Sequence, residues 1–326
     1  MDFNKTKVLL LLALGDSLYG ALGLFSRHFA DLGFDSFEIS FLRTAVIIVV
    51  VLPIMLILDR DELKVGIRGL LLFLSFSIFK LGSDVLFFYA INTTTMSMAT
   101  MLQMTFPYYV LILSFILFKE AITAKKLIAM ALAFIGCTLI TGGIFVEGDA
   151  ASEGIVAALV SGLAIGIYVL GGTISYRKGY KPAAYMLYCA IFGNLLILPF
   201  VDLALVGETV IDINQIGYVL GLGVLVSLIP LYLEAWSAKY ILPTTISVVG
   251  LLEIVSASII GMLVFDEVLG LKDVAGIALV IFSIFLINVG IFRGFRRYVQ
   301  THPEVLERMR LERERLYTFD KRKRDP

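Results

Sequence analysis

Residues 85–118 read VLFFYAINTTTMSMATMLQMTFPYYVLILSFILF, a run of 34 residues without a charged side chain. A helix needs about 20 residues to cross the hydrocarbon core of a bilayer, so this run is too long for one crossing. The polar cluster Asn92-Thr93-Thr94-Thr95 is the natural turn inside it. The stretch therefore predicts two consecutive membrane spans, at 69–90 and 95–118.

The rest of the chain has the same character. Of its 326 residues 59% are hydrophobic and 17% are charged, where a soluble domain carries about 25% charged residues. The mean hydropathy is +0.92. These values exclude the soluble globular, fibrous, disordered and disulfide-scaffold classes. The two cysteines, Cys137 and Cys189, lie inside apolar runs and are expected to be packing residues.

Ten nearly uncharged windows of 19 to 24 residues follow one another along the chain, each long enough to span a bilayer. The predicted fold class is an all-α polytopic membrane protein with ten transmembrane helices. The windows are 8–26, 37–58, 69–90, 95–118, 127–146, 154–176, 182–201, 213–233, 243–265 and 274–292.

Lysine and arginine alternate between the loops in a way that sets the orientation. With the N-terminus in the cytoplasm, the outside loops hold only Arg27 and Lys272. The inside loops hold the other loop cations: Arg60, Lys64, Arg68, Lys119, Lys125, Lys126, Arg177, Lys178, Lys181 and Lys239. We therefore expect a multi-pass protein of the cell (plasma) membrane with both termini cytoplasmic.

The chain also repeats itself. A shift of 147 residues superposes the span ending at Glu120 on the span ending at Glu267. This predicts two five-helix halves, 1–148 and 149–292, followed by a charged cytoplasmic tail, 293–326. Because five crossings are an odd number, the second half is expected to be inverted in the bilayer, an arrangement typical of secondary transporters.

Several short motifs occur in a characteristic order across both halves. They are Phe41-Leu42-Arg43, Phe88-Tyr89-Ala90-Ile91, Phe106-Pro107, Lys119-Glu120-Ala121-Ile122-Thr123, Leu242-Pro243-Thr244, Leu252-Glu253 and Asp266-Glu267. In these residues the chain resembles the EamA family of the drug/metabolite transporter (DMT) superfamily. The resemblance implies a ten-helix, two-repeat carrier of small metabolites, often an exporter, with a cavity lined by the first, third, fourth, sixth, eighth and ninth spans. In one departure, Ile254 stands where the second repeat usually has proline, which leaves the family's kink in the ninth span without its proline.

Polar side chains inside the spans are expensive in hydrocarbon and are expected to face one another, a cavity or water. The predicted substrate or proton site is Asp16, Tyr19, Lys80, Asp84, Gln103, Tyr168 and Glu253. Lys80 and Asp84 are four residues apart and share a helix face, so they form either a structural ion pair or part of the site. Tyr168 is either a packing residue or a ligand contact. Glu253 has no partner nearby in the sequence.

Other residues inside the predicted spans have more than one possible role. Arg43 can snorkel to the surface, pair with Glu38 or Asp16, or serve the site. Glu234, beside Trp236 at the end of the eighth window, is assigned to an interfacial belt in preference to a site. Pro107 and Pro230 interrupt their spans and are predicted to be helix kinks, either functional or merely tolerated.

The sequence lacks the motifs of ATP-driven transporters and of membrane metalloproteases. It has no G-x-x-x-x-G-K-[ST] and no H-E-x-x-H, and its two histidines, His28 and His302, lie outside the windows. We therefore expect no enzyme, catalytic residue, cofactor or metal site. The predicted function is secondary-active transport, in the direction of export, of a small cationic or zwitterionic amino compound. The alternative is a non-transporting scaffold or lipid-binding protein. The expected partners are that small-molecule substrate and the lipid bilayer, with no nucleic acid, and a homodimer is left open.

Overall fold

The computed structural model describes residues 2–58, 60–94, 96–142, 152–265 and 268–301. In these ranges the chain forms helices joined by short turns. The α-helices are α1 (Asp2–Tyr19), α2 (Leu22–Asp31), α3 (Ser36–Leu58), α4 (Ile67–Thr93), α5 (Met96–Gln103), α6 (Phe106–Phe118), α7 (Ala124–Ile140), α8 (Ser152–Arg177), α9 (Pro182–Ile197), α10 (Leu203–Ile211), α11 (Ile216–Leu220), α12 (Ile229–Ser237), α13 (Pro243–Gly250), α14 (Leu252–Phe265) and α15 (Leu271–Thr301). A π-helical segment, Gly221–Leu228, joins α11 to α12.

The described part of the chain contains nine helical stretches that are long and apolar enough to cross a membrane. The predicted window 127–146 corresponds to α7, which has 17 residues and extends about 25 Å at 1.5 Å per residue. Helix length therefore supports nine crossings, where ten were predicted. The last helix continues to Thr301, past the window that ends at 292. Glu267 and most of the charged tail, 302–326, lie outside the described residues.

Four of the spans are interrupted. The first breaks at Gly20 and Ala21, between α1 and α2, and the fourth breaks between α5 and α6. The predicted kink residue Pro107 lies in the first turn of α6, where proline's missing N–H costs nothing. Pro230 has the same position in α12, directly after the π-helical segment. Pro107 therefore marks the start of a new helix, and Pro230 marks the change from π-helical to α-helical hydrogen bonding.

The ninth span is also broken, although Ile254 replaces the family's proline. Its two parts, α13 and α14, meet at Leu251, where the α-helical hydrogen bonding is interrupted. Gly250, which has the lowest helix propensity after proline, directly precedes the break. The interruption expected from the family resemblance is therefore present without the proline that usually marks it.

Small residues allow the closest helix contacts. A Cβ on Gly136 of α7 would lie 2.7 Å from the carbonyl oxygen of Gly276 on α15, and one on Gly276 would lie 2.6 Å from the carbonyl oxygen of Gly136. Contacts this short require glycine, because no Cβ atom fits between the two backbones. Helices α7 and α15 therefore pack backbone to backbone, beside a core that includes Ala133 and Val280.

Candidate functional site

Lys80 and Asp84 lie one turn apart on α4 and form a bidentate ion pair. The Lys80 Nζ donates to both carboxylate oxygens of Asp84, at 2.7 Å each. The two side chains are 26% and 30% exposed, so they are partly buried and still reachable from a cavity. The sequence-predicted pairing is present, and the pair retains room for a third group.

Arg43 projects from α3 toward α1. Its Nη2 donates to the hydroxyl of Tyr19 at 2.8 Å, and its guanidinium carbon lies 5.5 Å from the centre of the same ring. The Nε atom is buried and has no hydrogen-bond partner. Neither Glu38 nor Asp16 is the hydrogen-bonding partner of Arg43: Glu38 instead accepts from the backbone N–H groups of Asp35 and Asp202. Arg43 therefore keeps a donor free.

A cavity connects these charges, with about 600 Å³ of empty space that includes the part open to solvent. Its walls come from α3, α4, α8, α9 and α12, which belong to the second, third, sixth, seventh and eighth windows. The first, fourth and ninth windows, expected from the family resemblance, contribute no lining residue. The polar and titratable lining consists of Ser40, Arg43, Thr44, Ser77, Lys80, Asp84, Tyr168 and Cys189.

Polar contacts hold the cavity walls together. The hydroxyl of Thr44 on α3 donates to the side-chain oxygen of Asn194 on α9. On the opposite wall the hydroxyl of Ser77 on α4 contacts the carbonyl oxygen of Cys189 at 3.1 Å. These contacts tie α9 to both α3 and α4 and satisfy polar groups that would otherwise be costly in an apolar interior.

Three carboxylates form a second group beside the cavity. Asp16 on α1 is 2% exposed, and it interacts electrostatically with Glu234 on α12 and Glu253 on α14. Glu253 is in turn attracted by Arg43 and Lys80. The structure thus brings Asp16 and Glu253 together, although neither lines the 600 Å³ cavity. We call these three residues the acid cluster.

Glu234 is the functional candidate that the sequence argument assigned to an interfacial belt. It lines a smaller cavity, of about 270 Å³, together with Tyr168, Tyr185 and Leu231. The sequence did contain one indication that Glu234 lies inside the membrane: the apolar stretch Ile216–Ser237 includes it and continues past it. Its nearness to Trp236 favoured the interfacial reading, because a sequence does not reveal which helices cover a residue.

Two other predicted site residues have different surroundings. Gln103 lies outside both cavities, and its amide donates to the hydroxyl of Ser161 on α8 at 2.8 Å. It therefore joins a polar clamp between helices, because Ser161 also exchanges hydrogen bonds with Ser83 on α4. Tyr168 is buried and lines both cavities, and its carbonyl oxygen accepts a hydrogen bond from the Tyr185 hydroxyl at 2.8 Å.

The chemistry available at the site is binding of charge. Among the described residues, no group of three or more histidine, cysteine, aspartate or glutamate side chains is arranged to hold a metal ion. The cavity is lined by one guanidinium group and one ion pair, while the acid cluster holds three carboxylates. Such an arrangement can hold positive and negative groups side by side.

Comparison with known proteins relates the whole helical region to one family. The model of the "EamA-like transporter family" matches residues 6–142 and again residues 152–289. An uncharacterized transporter of Archaeoglobus fulgidus is 29% identical over 271 residues, covering 82% of this chain and 92% of that protein. A second uncharacterized transporter of the same organism is 28% identical over 190 residues, covering 56% of this chain and 63% of that protein.

One solved crystal structure has the same fold. It covers 88% of this chain and 98% of its own, with a TM-score of 0.72 and 14% sequence identity. At that identity the likeness concerns the fold alone. Together with the nine apolar helical stretches of the described residues, the family match indicates a multi-pass membrane protein.

Proposed function

Because the chain belongs to the EamA-like transporter family, we propose that it is a secondary-active carrier that exports a small amino compound by alternating access. The observation that carries this proposal is the cavity of about 600 Å³ with Arg43, Lys80 and Asp84 in its walls. Helices from both predicted halves line it, so a rocking motion of one half against the other would open it to alternate sides. We propose no catalytic step, and the non-transporting scaffold is the alternative that the experiment below tests.

The charges of the cavity favour a cationic or zwitterionic substrate. The guanidinium group of Arg43 in the cavity wall suits a carboxylate. Asp84 can exchange Lys80 for the ammonium group of a substrate. A phosphorylated substrate would need several lysine or arginine donors. The lining has only two cations, and Asp84 already occupies one of them.

The helix packing supports two inverted repeats with α7 as the tenth crossing. Exchange of the halves maps the most extensively packed helix pairs either onto another packed pair or onto themselves. The contact of α4 with α8 maps onto that of α1 with α12, and the contact of α4 with α9 maps onto that of α3 with the π-helical segment. The pairs α3 with α9, α7 with α15 and α6 with α13 map onto themselves. This pattern is expected of halves 1–148 and 149–292 related by a pseudo-two-fold axis.

The loop charges support the proposed orientation. Both termini would be cytoplasmic, with the charged residues from 293 onward on the same side, and the protein would lie in the plasma membrane. In this arrangement the proposed partners are the substrate and the lipid bilayer.

Transport by the purified protein in proteoliposomes tests the proposal. Labelled amino acids, polyamines and cationic drugs are compared with a labelled phosphate ester, with and without a pH gradient. We expect Asp84→Asn to lower transport of the amino substrate about 10- to 100-fold, the loss that corresponds to one charge-assisted hydrogen bond.

The matched control is Asp61→Asn. Asp61 also pairs with a lysine, Lys64, at 2.7 Å, but both side chains are exposed and lie in a loop. The Asp61→Asn variant should transport at the wild-type rate. Absence of transport for every compound would favour the scaffold alternative, and preferred transport of the phosphate ester would overturn the charge argument.

A further inference from the structure

Two glycines bring α1 into direct contact with the helices that carry the other members of the acid cluster. A Cβ on Gly15 would lie 2.9 Å from the side chain of Leu233, the residue before Glu234 on α12. A Cβ on Gly20 would lie 2.7 Å from the carbonyl oxygen of Glu253 on α14. Asp16 follows Gly15 directly and precedes Gly20 by about one turn, so the two close approaches lie on either side of Asp16 along the chain.

Asp16 is buried without a full set of partners. The residue is 2% exposed, and its Oδ2 atom is inaccessible and has no hydrogen-bond partner. A buried carboxylate oxygen without a donor is costly as an anion. The ionisable groups that act on it electrostatically, Glu234 and Glu253, are also acids and cannot compensate it when all three are ionised. The site therefore calls for a positive group that can reach Asp16.

The acid cluster is separate from the proposed substrate cavity and adjoins it. Glu234 lines the cavity of about 270 Å³, and none of the three acids lines the larger one. Tyr168 and Leu231 line both cavities and form a wall between them. A charge that enters at the acids can therefore act on the substrate cavity across this wall.

The surrounding helices supply few compensating cations. The groups that interact electrostatically with the three acids are Tyr19 on α1, Arg43 on α3, Lys80 on α4, Tyr168 on α8 and Tyr185 on α9. Lys80 is held by Asp84. Other charged groups of α2, α7 and α15 have partners elsewhere: His28 contacts Gln215, Lys125 contacts the carbonyl of Ile287, Lys126 contacts Glu120, and Asp273 accepts from the N–H of Gly270. The remaining charged side chains described on these helices are exposed, namely Arg27, Asp31 and Lys272.

Among the side chains that the structure describes, Arg43 is thus the cation left to balance three acids, and full ionisation would leave two negative charges in the membrane interior. The three carboxylates are not arranged as ligands of one metal ion within the described residues. The small ligand that can neutralise separate carboxylates one at a time is the proton.

We propose that Asp16, Glu234 and Glu253 form one proton-binding site, distinct from the cavity of Arg43, Lys80 and Asp84. This inference rests on the proposed transport function and assigns its coupling ion. Protons bound here balance the acids in one conformation. Their release lets the same acids attract Arg43 and Lys80, which changes the charge presented to the substrate across the Tyr168–Leu231 wall.

The single tryptophan of the chain provides a test that does not need transport. Trp236 lies two residues after Glu234 and packs in the same cluster as Leu12, one turn before Asp16. Its emission is recorded against pH in purified protein in lipid nanodiscs. We expect a pH transition in the wild type that Glu234→Gln abolishes.

The decisive measurement is whether removing an acid from one helix shifts the titration of an acid on another helix. Asp16→Asn and Glu253→Gln each remove a negative neighbour on another helix, so each should move the midpoint of the transition to lower pH by about one unit, as in groups that titrate as one system. The control Glu208→Gln changes an exposed acid and should leave the curve unchanged. If Asp16→Asn fails to fold, Glu253→Gln alone carries the test.

An unchanged midpoint in every folded variant, or a wild type without a transition, overturns the proton site. This failure is distinguishable from failure of the transport function. Transport of the amino substrate with no coupled titration would reject the proton site alone. A coupled titration supports the site even where the proteoliposome assay detects no transport.

Discussion

Glu253 begins the second part of a broken helix, in the first turn of α14. The positive end of the helix dipole and the nearby cations Arg43 and Lys80 favour its charged form, whereas its place in the membrane interior opposes it. A carboxylate held between such opposing influences can gain and lose a proton during a transport cycle.

We therefore expect Glu253→Gln to abolish accumulation of substrate driven by a pH gradient, because glutamine keeps the shape and removes the titration. Folded yield should stay within the wild-type range, since glutamine is uncharged and less costly in the membrane. The measurement is uptake into proteoliposomes with and without a gradient, with Glu208→Gln as the control. Undiminished gradient-driven accumulation would contradict a coupling role.

The Lys80–Asp84 pair permits a separate prediction about stability. Lys80→Ala leaves an uncompensated carboxylate inside the membrane, which costs about 3 kcal/mol on insertion scales. We expect a lower folded yield in Lys80→Ala and recovery in the double variant Lys80→Ala/Asp84→Ala, since removing both charges costs less than removing one.

Size-exclusion chromatography after membrane extraction measures this yield. The same changes at the exposed pair Lys64 and Asp61 should alter stability by less than about 1 kcal/mol. In the Lys80/Asp84 double variant, recovered yield without recovered transport assigns the pair to substrate binding. Recovery of both would make it a structural pair.

At the scale of helices, backbone contact between α1 and α14 depends on one glycine. A Cβ at Gly20 would lie 2.5 Å from the backbone nitrogen of Ala257 and 2.7 Å from the carbonyl oxygen of Glu253. Backbone atoms in a helix cannot rotate away as a flexible side chain can. The two helices would have to separate to accommodate even a methyl group.

We expect Gly20→Ala to destabilise the fold by about 1–3 kcal/mol, the usual cost of overpacking. The matched control is Gly23→Ala, three residues later, where nothing lies within 4 Å of the added atom. Alanine favours helix more than glycine does, so the control should be neutral or slightly stabilising. Thermal unfolding in detergent compares the two, and equal transition temperatures would contradict the close contact.

The C-terminal end of α6 is not predicted by the residue preferences of helix ends. α6 ends at Lys119, whose φ of 56° is in the left-handed region usually occupied by glycine. The Lys119 N–H donates to the Phe115 carbonyl at 3.1 Å, and the Glu120 N–H donates to Ser114 at 3.3 Å. Glu120 is 5% exposed and bonds Lys126 at 2.8 Å. The Glu120–Lys126 pair thus supports a turn that the residue at 119 would not predict.

At the scale of the whole molecule, inverted halves require equivalent loops to lie on opposite sides of the membrane. We expect Ala121→Cys to be labelled by a membrane-impermeant maleimide from the cytoplasmic side and Lys272→Cys from the outside. Both positions are exposed, whereas the native Cys137 and Cys189 are buried and provide a low background. Labelling of both positions from one side would contradict the inverted repeat and the transport mechanism that depends on it.

The helical, membrane-spanning character of the chain follows from its sequence alone. An uncharged run of about 20 residues must satisfy its backbone hydrogen bonds internally, and a helix does so with neighbours four residues away. The Lys80–Asp84 pair was predictable for the same reason, because both partners lie on one helix face. Such features depend on residues close together along the chain.

The composition of the site was decided by tertiary packing. The partner of Arg43 is Tyr19, 24 residues earlier and on another helix, and Glu234 joins Asp16 and Glu253 from three separate helices. The cavity is also lined by the seventh span, whose residues carried no such signal, and by Arg43 of the second span, for which the sequence left several interpretations open. Which faces of these similar apolar helices meet depends on close packing at small residues such as Gly15 and Gly20. Hydrophobic patterning says nothing of these contacts, since every face of such a helix is apolar.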